Sequence, residues 1–174
     1  MKNITCDVAV IGAGPAGLAA AVKAKQLGAG RVLIIERDAR LGGILRQCVH
    51  DGFGLHRFAK RMTGGQYAQS FIDEADKAGV ECLLNTMVLE ITQERVIYAC
   101  NETDGMCEIR CGAIVLAMGC RERTRQQVFI LGTRPSGVLT AGAVQRYINV
   151  EGYLPGKKAV ILGSGDIGLI MARR

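Results

Sequence analysis

Gly12, Gly14 and Gly17 stand in the order G-x-G-x-x-G within "VIGAGPAG", with Pro15 and Ala16 between the last two. That spacing suits a phosphate. The first glycine permits a tight turn, the second lets backbone N–H groups approach a pyrophosphate, and the third lets a helix pack closely on a strand. The helix N-terminus adds partial positive charge where the anion sits. The turn needs a strand before it and a helix after it. "CDVAVI" (6–11) is a continuous apolar run of the kind a buried parallel strand shows, and "PAGLAAAVKAKQLG" reads as an alanine-rich helix ending at Gly28. A second buried strand, "RVLIIE" (31–36), then delivers Glu36, with Arg37 beside it. Glu36 falls about 20 positions after the last glycine, where a ribose-binding carboxylate is expected. The unit is expected to bind an adenine dinucleotide.

Which dinucleotide follows from a resemblance. "GAGPAG", Glu36 and "LGGIL" (41–45) together resemble the FAD-binding domain of the pyridine nucleotide-disulfide oxidoreductase superfamily. The resemblance implies that Gly42 and Gly43 pass close to the ribityl-phosphate side of the flavin. It implies that Val88, in "NTMVLEI" (85–91), lies where the backbone meets the adenine. It also implies that Ala117, Met118 and Gly119, closing "GAIVLAMG" (112–119), stand at the family's Ala-Thr-Gly motif, with Met118 in place of the usual threonine. "LGGILRQCVHDGFGLHRF", "AMGCRERTR" and "RPSGVLTAGAVQRYIN" resemble, more narrowly, a subgroup of FAD/NAD-linked dehydrogenases. That subgroup includes the flavoprotein subunits of opine oxidase and hydrogen cyanide synthase, the alpha subunit of heterotetrameric sarcosine oxidase, and flavoproteins encoded beside glycerol-3-phosphate dehydrogenase.

The expected fold class is α/β. A Rossmann-like FAD-binding domain with a central parallel sheet occupies residues 1–150, and its last strand is expected to be missing. "RVIYAC" and "CEIRC" form a β-hairpin around "ETDG", and "QYAQSFIDEADKAGV" (66–80) forms an amphipathic helix with Tyr67, Phe71, Ala75 and Ala78 on its apolar face. "GKKAVILGSGDIGLIMARR" (156–174) repeats the opening logic, with strand "KAVIL" leading to Gly163, Gly165 and Gly168. The resemblance implies that this second turn opens a nicotinamide-dinucleotide domain. A strand–helix–strand unit needs ~30 residues, so the chain is expected to be an N-terminal fragment. NAD(P)H is then the second cofactor only of the full-length protein, and the severed edge is a place for self-association.

In that superfamily the flavin carries the redox chemistry. Arg46, Cys48 and His50 follow the Gly-Gly pair, so His50 is a candidate proton-transfer group; a structural histidine and a packed thiol are the plainer readings, and no catalytic residue is assigned. Disulfide reductases of the superfamily place a redox cysteine pair just after the Gly-Gly pair. Here Leu45 holds the first position and Cys48 stands alone, so a dithiol relay is not expected.

Seven cysteines without a C-x-x-C pair read as free thiols of a reducing compartment, and Cys100, Cys107 and Cys111 as hairpin residues rather than a zinc site. The chain is 49% hydrophobic and 22% charged, a composition that supports a folded core rather than disorder. A net charge of +6 raises nucleic acid as a partner, but the basic residues are scattered, apart from "RERTR" (121–125), and few aromatics accompany them. No nucleic-acid partner is expected. No apolar stretch is long enough to span a membrane and the start lacks a secretory signal, so a cytoplasmic location is expected. Three functions stay open. The first is an FAD-dependent, NAD(P)-linked oxidoreductase acting on a small molecule or with a partner subunit of dehydrogenase or oxidase type. The second is a non-catalytic dinucleotide-binding remnant, and the third an NAD-only Rossmann protein.

Overall fold

The apolar run before the first glycine turn is the centre of the sheet. A computed structural model describes residues 1–133 and 135–174; Arg134, the first residue of "RPSGVLTAGAVQRYIN", lies outside the described residues. In chain order the elements are β1 (Lys2–Ile11), α1 (Pro15–Gln26), β2 (Val32–Ile35), a 3-10 turn (Gly43–Gln47), β3 (Asp51–Phe53), α2 (Leu55–Phe58), β4 (Met62–Thr63), α3 (Gly64–Lys77), β5 (Glu81–Leu83), β6 (Met87–Ile91), β7 (Val96–Asn101), β8 (Gly105–Leu116), α4 (Ala141–Asn149) and α5 (Asp166–Arg173). They fall into two compact units, Met1–Leu45 with Gly65–Gly119, and Arg46–Gly64 with Cys120–Arg174.

The first unit holds a six-stranded sheet in the order β5-β2-β1-β8-β7-β6. β5, β2, β1 and β8 are mutually parallel; β7 runs antiparallel to β8, and β6 antiparallel to β7. All four residues of β2 are buried, as expected of a strand covered on both faces. One core cluster gathers Ile4, Ala9, Ile11, Leu33, Ile35, Ile97, Ala99 and Ile109. α1 turns Gly17, Leu18, Ala21 and Val22 inward, the helical spacing that docks one face on the sheet. α3 buries Ala68, Phe71 and Ala75, with Tyr67 edge-on to Phe71 at 5.0 Å. It spans Gly64–Lys77 rather than 66–80, and Gly79, at φ +68°, follows its end.

The hairpin around "ETDG" forms, but β8 does not stop at Cys111. It continues as one 12-residue strand to Leu116. Residues Gly105–Arg110 pair antiparallel with β7, and Cys107–Leu116 pair parallel with β1. The strand therefore runs straight through Gly112. A Cβ there would lie 2.8 Å from the Asp7 carbonyl oxygen, so this glycine marks a close approach of β1 rather than a turn.

In the second unit β3 and β4 form a short antiparallel pair. The first turn of α4 is capped twice: Ala143 N–H donates to Thr140 Oγ1 at 3.3 Å and Gly142 N–H to Glu122 Oε1 at 2.8 Å. The Arg125 guanidinium of "RERTR" donates to the carbonyls of Ile130, Leu131 and Thr133, holding that loop's own backbone rather than standing free. The strand expected at "KAVIL" is absent. Residues 158–162 are irregular and exposed, Val160 fully so, while helix α5 does form. Helical hydrogen bonds close within the segment, whereas a strand needs a neighbour, and none of the described residues supplies one.

Candidate functional site

Ile11 of β1 is in register with Ile35 of β2 on one side and Leu116 of β8 on the other. The chain leaves β1 toward β2 and later returns to β8 across the opposite edge. The carboxyl ends of these strands therefore frame the crevice at a topological switch point, where open α/β sheets bind ligands. Gly12–Gly17, Glu36 and Ala117–Gly119 follow the ends of β1, β2 and β8 there.

The glycines there have separate reasons. Gly12 has φ +102°, and a Cβ on it would sit 2.5 Å from the Ala117 carbonyl oxygen. A Cβ on Gly17 would sit 1.9 Å from the Gly12 carbonyl oxygen, so the close helix–strand packing tolerates nothing larger. Gly43, at φ +53°, approaches so closely that its Cβ would be 3.0 Å from Gly14 Cα. Gly14 itself is different: a Cβ there meets nothing within 4 Å. It caps α1 in extended geometry, followed by Pro15 and the exposed Ala16, and the first turn of α1 carries no acidic side chain. The open position and the uncompensated positive end of the helix coincide, as an anion site requires.

Glu36 is 8% exposed and braces this turn. Its Oε2 accepts the Ala13 N–H at 2.8 Å and its Oε1 the Asp38 N–H at 2.9 Å. A carboxylate oxygen accepts more than one hydrogen bond, so capacity for ribose hydroxyls remains. Gly42 N–H donates to the Ala13 carbonyl at 2.8 Å, which joins the Gly-Gly segment to the same turn, and Ala117 N–H donates to the Ile11 carbonyl. Backbone bonds from Thr86 to Glu36 and from Asn85 to Asp38 bring the 85–88 segment alongside. Val88 is half-buried against the core, Met118 is 65% exposed and Arg37 is exposed. Ala13, Asp38, Asn85 and Thr86 escape a reading of the sequence alone. All four act through backbone groups, which no side chain advertises; Asn85, at φ +49°, is of a residue type that tolerates the left-handed region, the one local signal.

Arg46, Cys48 and His50 belong to the second unit. Cys48 is buried, and burial pushes its thiol above the usual range, against a role as thiolate. His50 packs on Phe53 with ring centroids 5.3 Å apart, and its Nδ1 is buried without a hydrogen-bond partner among the described residues. Two buried amides lie in the same unit, Gln47 Nε2 donating to Gln145 Oε1 at 3.2 Å, and the partly buried Asn149 Nδ2 donates to the Gln47 carbonyl at 2.8 Å. At the second glycine turn, Gly163 has φ +113° and Gly165 caps α5, but Asp166 occupies the first helical turn and the flanking residues are exposed. Gly168 lies on α5, where a Cβ would be 3.2 Å from Ile161 Cγ2.

The family pattern of the pyridine nucleotide-disulphide oxidoreductases matches residues 6–174. The chain is 34% identical over 183 residues to the alpha subunit of sarcosine oxidase from Corynebacterium sp. (strain P-1), covering 94% of this chain and 18% of that protein. It is 31% identical over 173 residues to an opine oxidase subunit of Agrobacterium tumefaciens (strain Ach5), covering 95% and 33%. It thus spans a third or less of these relatives. Among solved structures, L-proline dehydrogenase from P. horikoshii superposes with a TM-score of 0.72 over 89% of this chain and 30% of that one, at 23% identity, a likeness of fold.

Proposed function

The chain belongs to the pyridine nucleotide-disulphide oxidoreductase family, and we propose that it holds FAD for a flavin-dependent, NAD(P)-linked oxidoreductase. The observation that carries the reading is the pairing of an open Gly14 with a braced Glu36 at one strand-end crevice. The residues fit the cofactor. Gly12, Gly14, Pro15, Ala16 and Gly17 would take the pyrophosphate and Glu36 the adenosine ribose, with Arg37 at the rim. The segment at Val88 would take the adenine, and Gly42, Gly43, Ala117, Met118 and Gly119 the flavin's ribityl-phosphate side. Bound FAD supplies two-electron redox chemistry. The chain's own part is to bind and orient it, with backbone N–H groups and a helix end for the phosphates and a buried carboxylate for the sugar.

On this reading residues 1–150 form the FAD domain and 156–174 open a domain for NAD(P)H, with Gly163, Gly165 and Gly168 at its phosphate turn. The longer protein would act in the cytoplasm on a small molecule or with a partner subunit; two of the relatives above are themselves named as subunits. The exposed stretch 158–162 is a candidate edge for self-association.

Reconstitution tests this. The purified chain mixed with FAD and desalted should keep flavin absorbance in near-stoichiometric amount. Retention of NAD without flavin would favour an NAD-only protein, and retention of neither a non-catalytic remnant.

A further inference from the structure

Two of the seven cysteines face each other across the sheet. The register of β1 against β8 sets Cys6 opposite Cys111. No other cysteine pairs with a cysteine among the described residues: Cys82 stands opposite Ile34, Cys100 opposite Met87 and Met106, and Cys107 opposite Lys2 and Ala99. Neighbouring strands lie about 4.8 Å apart, inside the Cα separation of roughly 4.4–6.8 Å that a disulfide spans. Both side chains lie on one face, Cys6 within the core cluster and Cys111 at its rim. The Cys111 thiol donates to the Arg95 carbonyl at 3.3 Å, and the proximity of the two sulfurs is felt in the titration of each. Cys111 is partly exposed; Cys6 is not.

We propose that Cys6 and Cys111 form a peroxide-oxidisable pair, with Cys111 the attacked thiol and Cys6 the resolving one. Hydrogen peroxide takes the Cys111 thiol to a sulfenic acid and leaves as one water. The Cys6 sulfur then attacks that sulfur, a second water leaves, and a disulfide remains, so two thiols have lost two electrons to one peroxide. Burial raises both thiols, and the thiolate is the reacting form, so the oxidation is slow near neutral pH and quickens as the pH rises. Five residues beyond each cysteine its strand ends, β1 at Ile11 and β8 at Leu116, next to Gly12 and Ala117. The new bond would lock the register of the two strands that carry the crevice. This pairing is independent of which dinucleotide is bound.

The test uses the whole chain carrying Cys120→Ser, which removes the exposed thiol. The folded protein is treated with hydrogen peroxide at mildly alkaline pH, quenched with catalase, and its thiols are counted in denaturant. The expected result is a loss of two thiols, restored by dithiothreitol, with peptide mapping linking Cys6 to Cys111. Adding Cys6→Ser should leave a Cys111 sulfenic acid that a cyclic 1,3-diketone traps. Three results would overturn the proposal: both cysteines remaining alkylatable while other thiols are consumed, the two lost thiols mapping to a different pair, or the link forming only in denaturant.

Discussion

Ala13 donates its backbone N–H to Glu36 Oε2 at 2.8 Å, while the other oxygen of that carboxylate holds Asp38. The acid that follows β2 is therefore a brace on the glycine turn in its own right.

Glu36→Gln separates the two oxygens chemically. An amide keeps one acceptor and puts a donor where the other stood, so either the buried Ala13 N–H or the part-buried Asp38 N–H faces a donor in place of its acceptor. A buried donor left unsatisfied costs ~1–3 kcal/mol. Urea unfolding of the FAD-free variant should show a loss of that size, and flavin retention should fall with it. An unchanged unfolding midpoint would mean that the brace is not part of the folded state.

Two glycines three positions apart should behave oppositely. Gly14→Val adds bulk where nothing lies within 4 Å, so the FAD-free chain should keep its unfolding midpoint while flavin retention drops severely. Gly17→Ala drives a Cβ to 1.9 Å from the Gly12 carbonyl and should impair folding itself. Circular dichroism read beside flavin absorbance distinguishes them, and a Gly14→Val chain that still holds FAD would remove the crevice from consideration.

Alkaline pH should weaken the fold through buried thiols. Burial, aided by Cys111, pushes the Cys6 thiol from 9.0 to about 12, and burial pushes Cys82 to about 11. Between 9 and those values the unfolded chain has lost a proton that the folded chain keeps, so stability declines as pH rises. The slope is ~1.4 kcal/mol per pH unit for each such thiol. Unfolding midpoints followed from about pH 8 to about pH 11 should fall, and less steeply once Cys6 and Cys82 are both changed to Ser. An identical slope in that variant would assign the decline to other groups.

NADH and NADPH should bind this chain weakly. Lys158–Leu162 are not paired into a sheet, and Asp166 occupies the first turn of α5, where a phosphate would otherwise find a free positive end. Anaerobic titration of the FAD-loaded chain should leave the flavin bands in place over many equivalents. Prompt stoichiometric bleaching would show a working nicotinamide site.

The residues that the sequence marks well are those whose role is local. Three glycines, the apolar runs before and after them, and an acid at strand-end spacing describe a strand–turn–helix–strand unit whose geometry is set by neighbours along the chain. β1, α1 and β2 accordingly lie where the pattern places them, within a few residues at each end. Gly112 and Lys158–Leu162 mislead for the opposite reason. A glycine inside a strand and an apolar run without a partner look locally like a break and like a strand. Their conformation is decided by what lies alongside, β1 in the first case and no neighbouring strand among the described residues in the second. The same holds for the bond from Ala13 to Glu36, the approach of Gly43 to Gly14, and the facing of Cys6 with Cys111. Residue type and local spacing determined that this chain builds a strand–glycine turn–helix–strand unit. Strand order and register, fixed only when distant segments bury their apolar faces together, decided which atoms meet around it.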